Sequence, residues 1–273
     1  MARQRIVLGI MGGEGSGKSD VAFTAPQPIL AIGCDPNVED IACKVFDADT
    51  CDDLDPGQCR LVMLPYPAVG FETDEDAIAR EATEAWDVMT DALAEVIRKR
   101  AKVQPRTVVL DSGTLIDKLN VLAEFGRTDK ISPQVRRIKM GNLNARFMGL
   151  FRGLEQAGCH VIVTHQCRPK WETQEVRGRN GIEEKDVQVP GEFERVGFKQ
   201  MGYILNTEIL TLFDPAREGK LAGKFGMRVL RSMARPAVVG REYWGKTEEG
   251  VRQAGFPYLA TLLYPHTTLK DWE

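Results

Sequence analysis

The sequence predicts an α/β fold, one domain with a mainly parallel central sheet flanked by helices. Three observations carry that prediction. Short, continuous apolar runs recur at residues 6–11, 29–32, 60–64, 107–112 and 160–166, the pattern of strands buried on both faces. Segments between them have helical periodicity, and strands alternating with helices point to a parallel sheet. The first run also leads directly into Gly12-Gly13-Glu14-Gly15-Ser16-Gly17-Lys18-Ser19, which fits a strand–GxxxxGK[ST]–helix unit.

The elements follow in order. Residues 6–11 form a first strand, and the helix after the glycine-rich turn must be short because Pro26 and Pro28 stop it. Residues 29–32 form a second strand ending at Asp35; the acidic segment 36–59 shows no clear period and reads as an irregular insert. A third strand at 60–64 closes on Pro65 and Pro67. A long helix then begins near Thr73-Asp74-Glu75-Asp76, an N-cap and acidic first turn, with Ile78, Ala82, Trp86, Met89, Leu93 and Ile97 along one face. Residues 107–112 form a fourth strand. Ser132-Pro133 opens another helix with Leu143, Phe147, Leu150 and Leu154 on one face and Gly158 as its stop. The fifth strand, 160–166, gives way to a polar, glycine-punctuated stretch at 167–200, too long for a plain connector and read as a mobile loop. Strands follow at 209–213 and 227–230. The core is placed at 1–240, and the aromatic tail 241–273 packs on it or extends from it without an assigned structure.

Composition narrows the function classes. With 273 residues, 43% hydrophobic and 27% charged, the chain is an ordinary globular one able to bury a sizeable core. No apolar run approaches the length of a membrane span. The first five residues run straight into a strand, so no signal peptide is expected and a cytoplasmic location is. Cysteines 34, 43, 51, 59, 159 and 167 form no CxxC pair. Cys43, Cys51 and Cys59 could collect around zinc, but reduced, idle thiols are the simpler reading. The net charge of −3 hides an uneven distribution: residues 35–59 carry eight acids against Lys44, while 127–152 carry seven bases against Asp129 and 217–246 eight bases against two acids. Overall charge therefore argues against a nucleic-acid partner and local charge permits one.

The glycine-rich turn carries the strongest chemical signal. Glycines at 12, 13, 15 and 17 let the backbone turn its N–H groups around a phosphate; Glu14 and Ser16 complete the loop. Lys18 supplies a mobile cation for terminal phosphates and the Ser19 hydroxyl a ligand for Mg²⁺. A nucleoside triphosphate, ATP, is the expected ligand. Asp111, at the end of an apolar strand, is placed to hold Mg²⁺ through water, or else to cap the next helix. Ser112 follows it, so no adjacent acid supplies a base for an attacking water. Glu72, between the third strand and its helix, is the candidate; Asp74, Glu75 and Asp76 compete but suit a helix N-terminus. Gln166, ending the fifth strand, has the amide to sense a γ-phosphate and shift the loop after it. His165 reads as a packed residue.

The order of these motifs resembles the RecA-type recombinase core, a P-loop NTPase fold. The segments that carry the resemblance are 12–19, 29–35, 61–72, 108–111 and 161–166. The short first helix followed by Ala25-Pro26-Gln27-Pro28-Ile29 is similar to phage nucleotide-binding proteins that act as compact RecA-like single-strand annealing proteins; Gly202-Tyr203-Ile204 and the 227–235 stretch fit that group loosely. The acidic insert at 36–59 departs from the pattern. The resemblance implies an ATPase that uses Mg²⁺ on Ser19 and Asp111 in recombination, with Lys18, Glu72 and Gln166 catalytic and single-stranded DNA as partner. DNA would meet Arg168, Lys170, Arg177 and Arg179, with Trp171 free to stack on a base. It also implies a homo-oligomer with ATP at subunit interfaces, where Arg228, Arg231 or Arg235 would reach a neighbour's phosphate, and a host-cytoplasmic setting if phage-encoded. Two alternatives stay open: a P-loop kinase of a small metabolite, and a nucleotide-binding assembly module with little turnover.

Overall fold

A computed structural model describes residues 5–35, 37–67, 74–126, 132–178, 181–197, 199–216, 219–245 and 250–273. Six strands run parallel: β1 (Val7–Gly12), β2 (Ile29–Gly33), β3 (Cys59–Met63), β4 (Thr107–Asp111), β5 (His160–Gly178) and β7 (Thr207–Phe213). Strands β8 (Phe225–Ser232) and β9 (Glu242–Trp244) add antiparallel to β7, giving the spatial order β3-β2-β4-β5-β1-β7-β8-β9. The architecture is α/β with a mostly parallel mixed sheet flanked by helices.

Alternation along the strands builds two cores. Ile6, Leu8, Ile10, Ala31, Val109, Ile162 and Ile209 face α1 (Lys18–Phe23), α2 (Asn37–Phe46) and α6 (Gly250–Leu263). Val7, Leu30, Ile32, Val108, Leu110, Val161 and Val163 face α3 (Glu75–Ile97), α4 (Gly113–Phe125) and α5 (Pro133–Ala157). The predicted faces of the two long helices are the buried ones: Ile78, Ala82, Met89 and Leu93 on α3, and Leu143, Phe147 and Leu154 on α5. Asp74 caps α3 by accepting the Asp76 N–H, and Gly158, at positive φ, ends α5.

Three segments depart from the reading of the sequence. The acidic stretch is not irregular throughout: α2 occupies Asn37–Phe46, burying Val38 and Ala42 while its acids face solvent. Residues 113–125, where the sequence offered only the option of a helix capped by Asp111, form α4, capped instead by Ser112, whose hydroxyl accepts from the Leu115 N–H. The stretch 167–200 is no loop. Strand β5 continues past Gln166 to Gly178 and returns as β6 (Gly181–Arg195), a long antiparallel hairpin with an irregularity between Pro169 and Trp171. Where its side chains are described, at 167–174 and 184–195, both faces are largely solvated, so it lacks the apolar alternation that marks a half-buried strand. The tail supplies β9 and α6. The latter is kinked at Gly255 where the Thr24 side chain leaves no room for a Cβ, and Trp272 is buried against Phe256 and Tyr264. No helix among the described residues is long and apolar enough to cross a membrane.

Candidate functional site

Parallel strands put their carboxyl ends on one side of the sheet, where ligands of open α/β folds bind. Here β1 ends in the glycine-rich loop, β4 in Asp111, and β5 passes between them. The register sets Gln166 opposite Gly12 and Val163 opposite Leu110, so Thr164 stands beside Asp111. Residues widely spaced in sequence thereby converge.

The loop is held by its own side chains and by β7. Gly15 and Gly17 take positive φ, which glycine alone adopts freely. Gly12 is fixed sterically: a Cβ there would fall 2.1 Å from Thr211 Oγ1 and 2.3 Å from Ser16 Oγ. Ser16 Oγ lies 2.8 Å from the Gly13 carbonyl and 2.7 Å from Thr211 Oγ1, which in turn lies 3.1 Å from the Met11 carbonyl. Two hydroxyl protons serve these three contacts, so β7 braces the loop through a shared pair of hydroxyls. At Gly13 and Gly15 a Cβ would meet nothing within 4 Å, so the outer rim is open. The Lys18 ammonium donates to the Gly13 carbonyl across that rim at 2.7 Å, a contact that an entering phosphate could take over. Partial burial draws Lys18 below the usual lysine pKa, opposed chiefly by the Asp111 carboxylate.

Asp111 is 4% exposed. Its Oδ1 accepts from the Thr164 hydroxyl at 2.5 Å, and its Oδ2 is buried with no partner. Burial pushes its pKa up, against the hydroxyls of Ser19 and Thr164 and the charge of Lys18, which favour the carboxylate. An unpaired buried carboxylate oxygen is costly, and a hydrated cation beside Ser19 would satisfy it. The donors are hard oxygens, as Mg²⁺ requires. Among the described residues no group of three or more His, Cys, Asp or Glu side chains could hold a metal by itself; Mg²⁺ bound through one or two protein oxygens, water and phosphate needs none. Since Ser112 caps α4, the alternative role for Asp111 falls away.

The base of the hairpin is tied to the same place. Thr114, on the first turn of α4, accepts the Gln166 N–H at 3.1 Å and donates to the Val196 carbonyl at 3.0 Å. Gly113 presses α4 onto β5, its missing Cβ falling 2.3 Å from a Val163 methyl. His165, fully buried, has no partner for either ring nitrogen; burial, and then Arg195, hold it neutral. Arg195 pairs with Glu208. Thr114, Thr164, Thr211 and the Arg195–Glu208 pair were not legible as site residues. The one available signal was that Asp111 and Thr164 both close apolar runs in the sequence.

Other expected residues are more dispersed. Glu72 and Arg179 lie outside the described residues, and Arg177 lies in β5. Arg168 pairs with Glu194 at 2.7 Å, and Lys170 with Glu172 at 2.7 Å and Glu192 at 2.9 Å. Trp171 is 56% exposed and Phe193 42%. The three arginines expected to reach a neighbour's phosphate are each engaged within the chain: Arg228 with Glu242 and the Gly191 carbonyl, Arg231 with the Gly202 carbonyl, Arg235 with the Leu262 carbonyl. Arg231 and Arg235 also stand toward the end of the sheet away from the loop, since Ser232 is opposite Thr207 and Phe225 opposite Phe213. A mostly apolar cavity of about 370 Å³ lies elsewhere, by the amino ends of β2 and β3, lined by residues such as Ile29, Leu54, Cys59, Leu61 and Val96; none of the glycine-rich-loop residues borders it. Cys43 and Cys51 approach to 3.8 Å between sulfurs, and all six cysteines are free. No known protein family matches the chain, and no curated protein matches it.

Proposed function

We propose that the protein is a Mg²⁺-dependent P-loop ATPase that acts on single-stranded DNA through the β5–β6 hairpin, in recombination or annealing of the RecA-like phage type. One observation carries the reading: the strand that sets Gln166 opposite Gly12 is the strand that leaves the core as one arm of the hairpin. A change at the phosphate loop therefore has a covalent and hydrogen-bonded path into the arm, through Gln166 and Thr114.

In this reading Lys18 leaves the Gly13 carbonyl for the terminal phosphates, and the loop N–H groups take the remaining oxygens. Ser19 and Asp111 would hold Mg²⁺, which would supply neutralisation of charge on the phosphoryl group. Thr164 keeps Asp111 turned toward the loop, Gln166 responds to the γ-phosphate, and Glu72 orients the attacking water. DNA phosphates exchange with Glu194, Glu192 and Glu172 for Arg168 and Lys170, and Trp171 stacks on a base. If four cations of the arm contact phosphates, log affinity falls against log salt with a slope of roughly −3.

The test is ATP hydrolysis with and without single-stranded DNA, in wild type and Glu72→Gln. DNA-stimulated turnover that the variant loses supports the proposal. Turnover indifferent to DNA, with transfer to a small acceptor, points to a metabolite kinase. Nucleotide binding with negligible turnover points to an assembly module.

A further inference from the structure

The P-loop mouth has an aromatic wall that the phosphate chemistry does not use. Thr211, which braces Ser16, faces α1, and strand alternation puts Phe213 on the same face, about 7 Å further along β7. Ile209 and Met227 belong to the core on that face, which fixes the assignment. Phe225 stands opposite Phe213 in register, their ring centroids 4.7 Å apart and the planes tilted by 31°, a separation within the range of favourable aromatic pairs. Every apolar residue of β7 below Phe213 is buried or half-buried, whereas Phe213 is 43% exposed. A large ring turned to solvent just past an anion cradle has one natural occupant, the base at the other end of a nucleotide whose phosphates fill the cradle.

We infer that Phe213, backed by Phe225, is a stacking platform for the base of the bound nucleotide, and that the site takes purine nucleoside triphosphates with little choice between adenine and guanine. This rests on the nucleotide reading above. The lack of choice comes from the neighbours. Asp214, the residue that follows Phe213, is committed to a turn: its carboxylate accepts the Ala216 N–H at 2.9 Å and its N–H donates to the Lys224 carbonyl. Arg228 and Glu242 are engaged with each other and lie on the opposite face of the sheet from Phe213. Discrimination between bases requires hydrogen bonds to their edges, and a stack reads ring area instead. Purines gain over pyrimidines, and both gain over no base.

The experiment measures binding of ATP, GTP, CTP and inorganic tripolyphosphate, each with Mg²⁺, to the full chain and to Phe213→Leu, which keeps an apolar side chain but no ring. Wild type is expected to bind ATP and GTP within about threefold of each other, and about tenfold tighter than tripolyphosphate; CTP falls between. Phe213→Leu is expected to lose about tenfold for ATP and GTP with tripolyphosphate unchanged, which also shows that the variant keeps its fold. An unchanged ratio of ATP to tripolyphosphate affinity in the variant overturns the platform and leaves the nucleotide reading standing. So does an equal loss for all ligands, which marks a purely structural pair. Failure of both ATP and tripolyphosphate to bind wild type overturns the nucleotide reading itself.

Discussion

The glycine-rich loop and the hairpin arm extend from neighbouring strands, β1 and β5, and differ in almost every physical respect. Around the loop, Asp111, Thr164, Ser16 and Thr211 are buried and bonded in two pairs, Thr164 to Asp111 and Ser16 to Thr211, each pair joining neighbouring strands or their ends. In the arm, Trp171 and Phe193 face solvent, and Arg168 and Lys170 are paired with exposed acids. The buried site is held by the core on both sides of the sheet and has little freedom to rearrange. The arm has no core of its own, and a lone two-stranded ribbon is marginal in water, so its geometry depends on how its base is fastened. Specific chemistry belongs in the first region and adjustable contact in the second.

Breaking the loop end gives the largest effect. Asp111→Asn removes the charge that Ser19 and Thr164 are arranged around. Steady-state hydrolysis should fall by about 10²–10³-fold, while hairpin-dependent DNA binding measured without nucleotide stays near wild type. Loss of both together would show that the regions are not separable.

The joint comes next. Thr114→Val keeps the shape but leaves the Gln166 N–H and Val196 carbonyl without their shared partner. Denaturant unfolding should show a loss of about 1–3 kcal/mol, and DNA should lose its effect on turnover more than nucleotide loses affinity. A variant as stable and as coupled as wild type would remove Thr114 from the path.

A pH readout sharpens the same joint. Asp117, on α4 beside Gly197 at the return of the hairpin, has its carboxyl pushed up to about 6 by burial, from 3.8. The folded state therefore favours the neutral acid, so the group weakens the fold progressively as pH rises from about 4 to about 6 and by a constant amount above. Asp117→Asn should be stabilising at pH 8, by up to about 3 kcal/mol, and close to neutral below pH 4. Equal effects at both pH values would assign the change to packing.

Within the arm, Trp171→Ala should weaken single-stranded DNA by about 1–3 kcal/mol, read by fluorescence anisotropy, with ATP affinity unchanged. Smallest of all, Glu194→Gln frees Arg168 from an exposed pair and should change folding stability by under about 1 kcal/mol, while strengthening DNA binding at low salt. An Arg168 that contributes nothing to DNA binding would leave that affinity unmoved.

The sequence was most legible where burial is periodic. Strands β1, β2 and β4, the first part of β5 and the faces of α3 and α5 bury continuous or stepped apolar sets, which show in the order of residues. Helix α2 escaped because eight acids between Asp35 and Gln58 masked a short buried edge of Val38 and Ala42. The hairpin escaped because a ribbon wet on both faces leaves no period-two apolar pattern, and its alternating charges read as a loop. At the candidate site, the glycine-rich loop and Asp111 stand out from local pattern alone.

By itself, the sequence determined that a glycine-rich turn with Lys18 and Ser19 follows a buried strand, and that apolar runs alternate with helices, because these are properties of neighbouring residues. Tertiary structure alone decided that Thr211 braces Ser16 from 195 positions away, that Thr164 holds Asp111, and that Gln166 lies opposite Gly12. Strand order and register bring those residues together, and both are settled only when two packed layers of helices fix which faces of the sheet are buried.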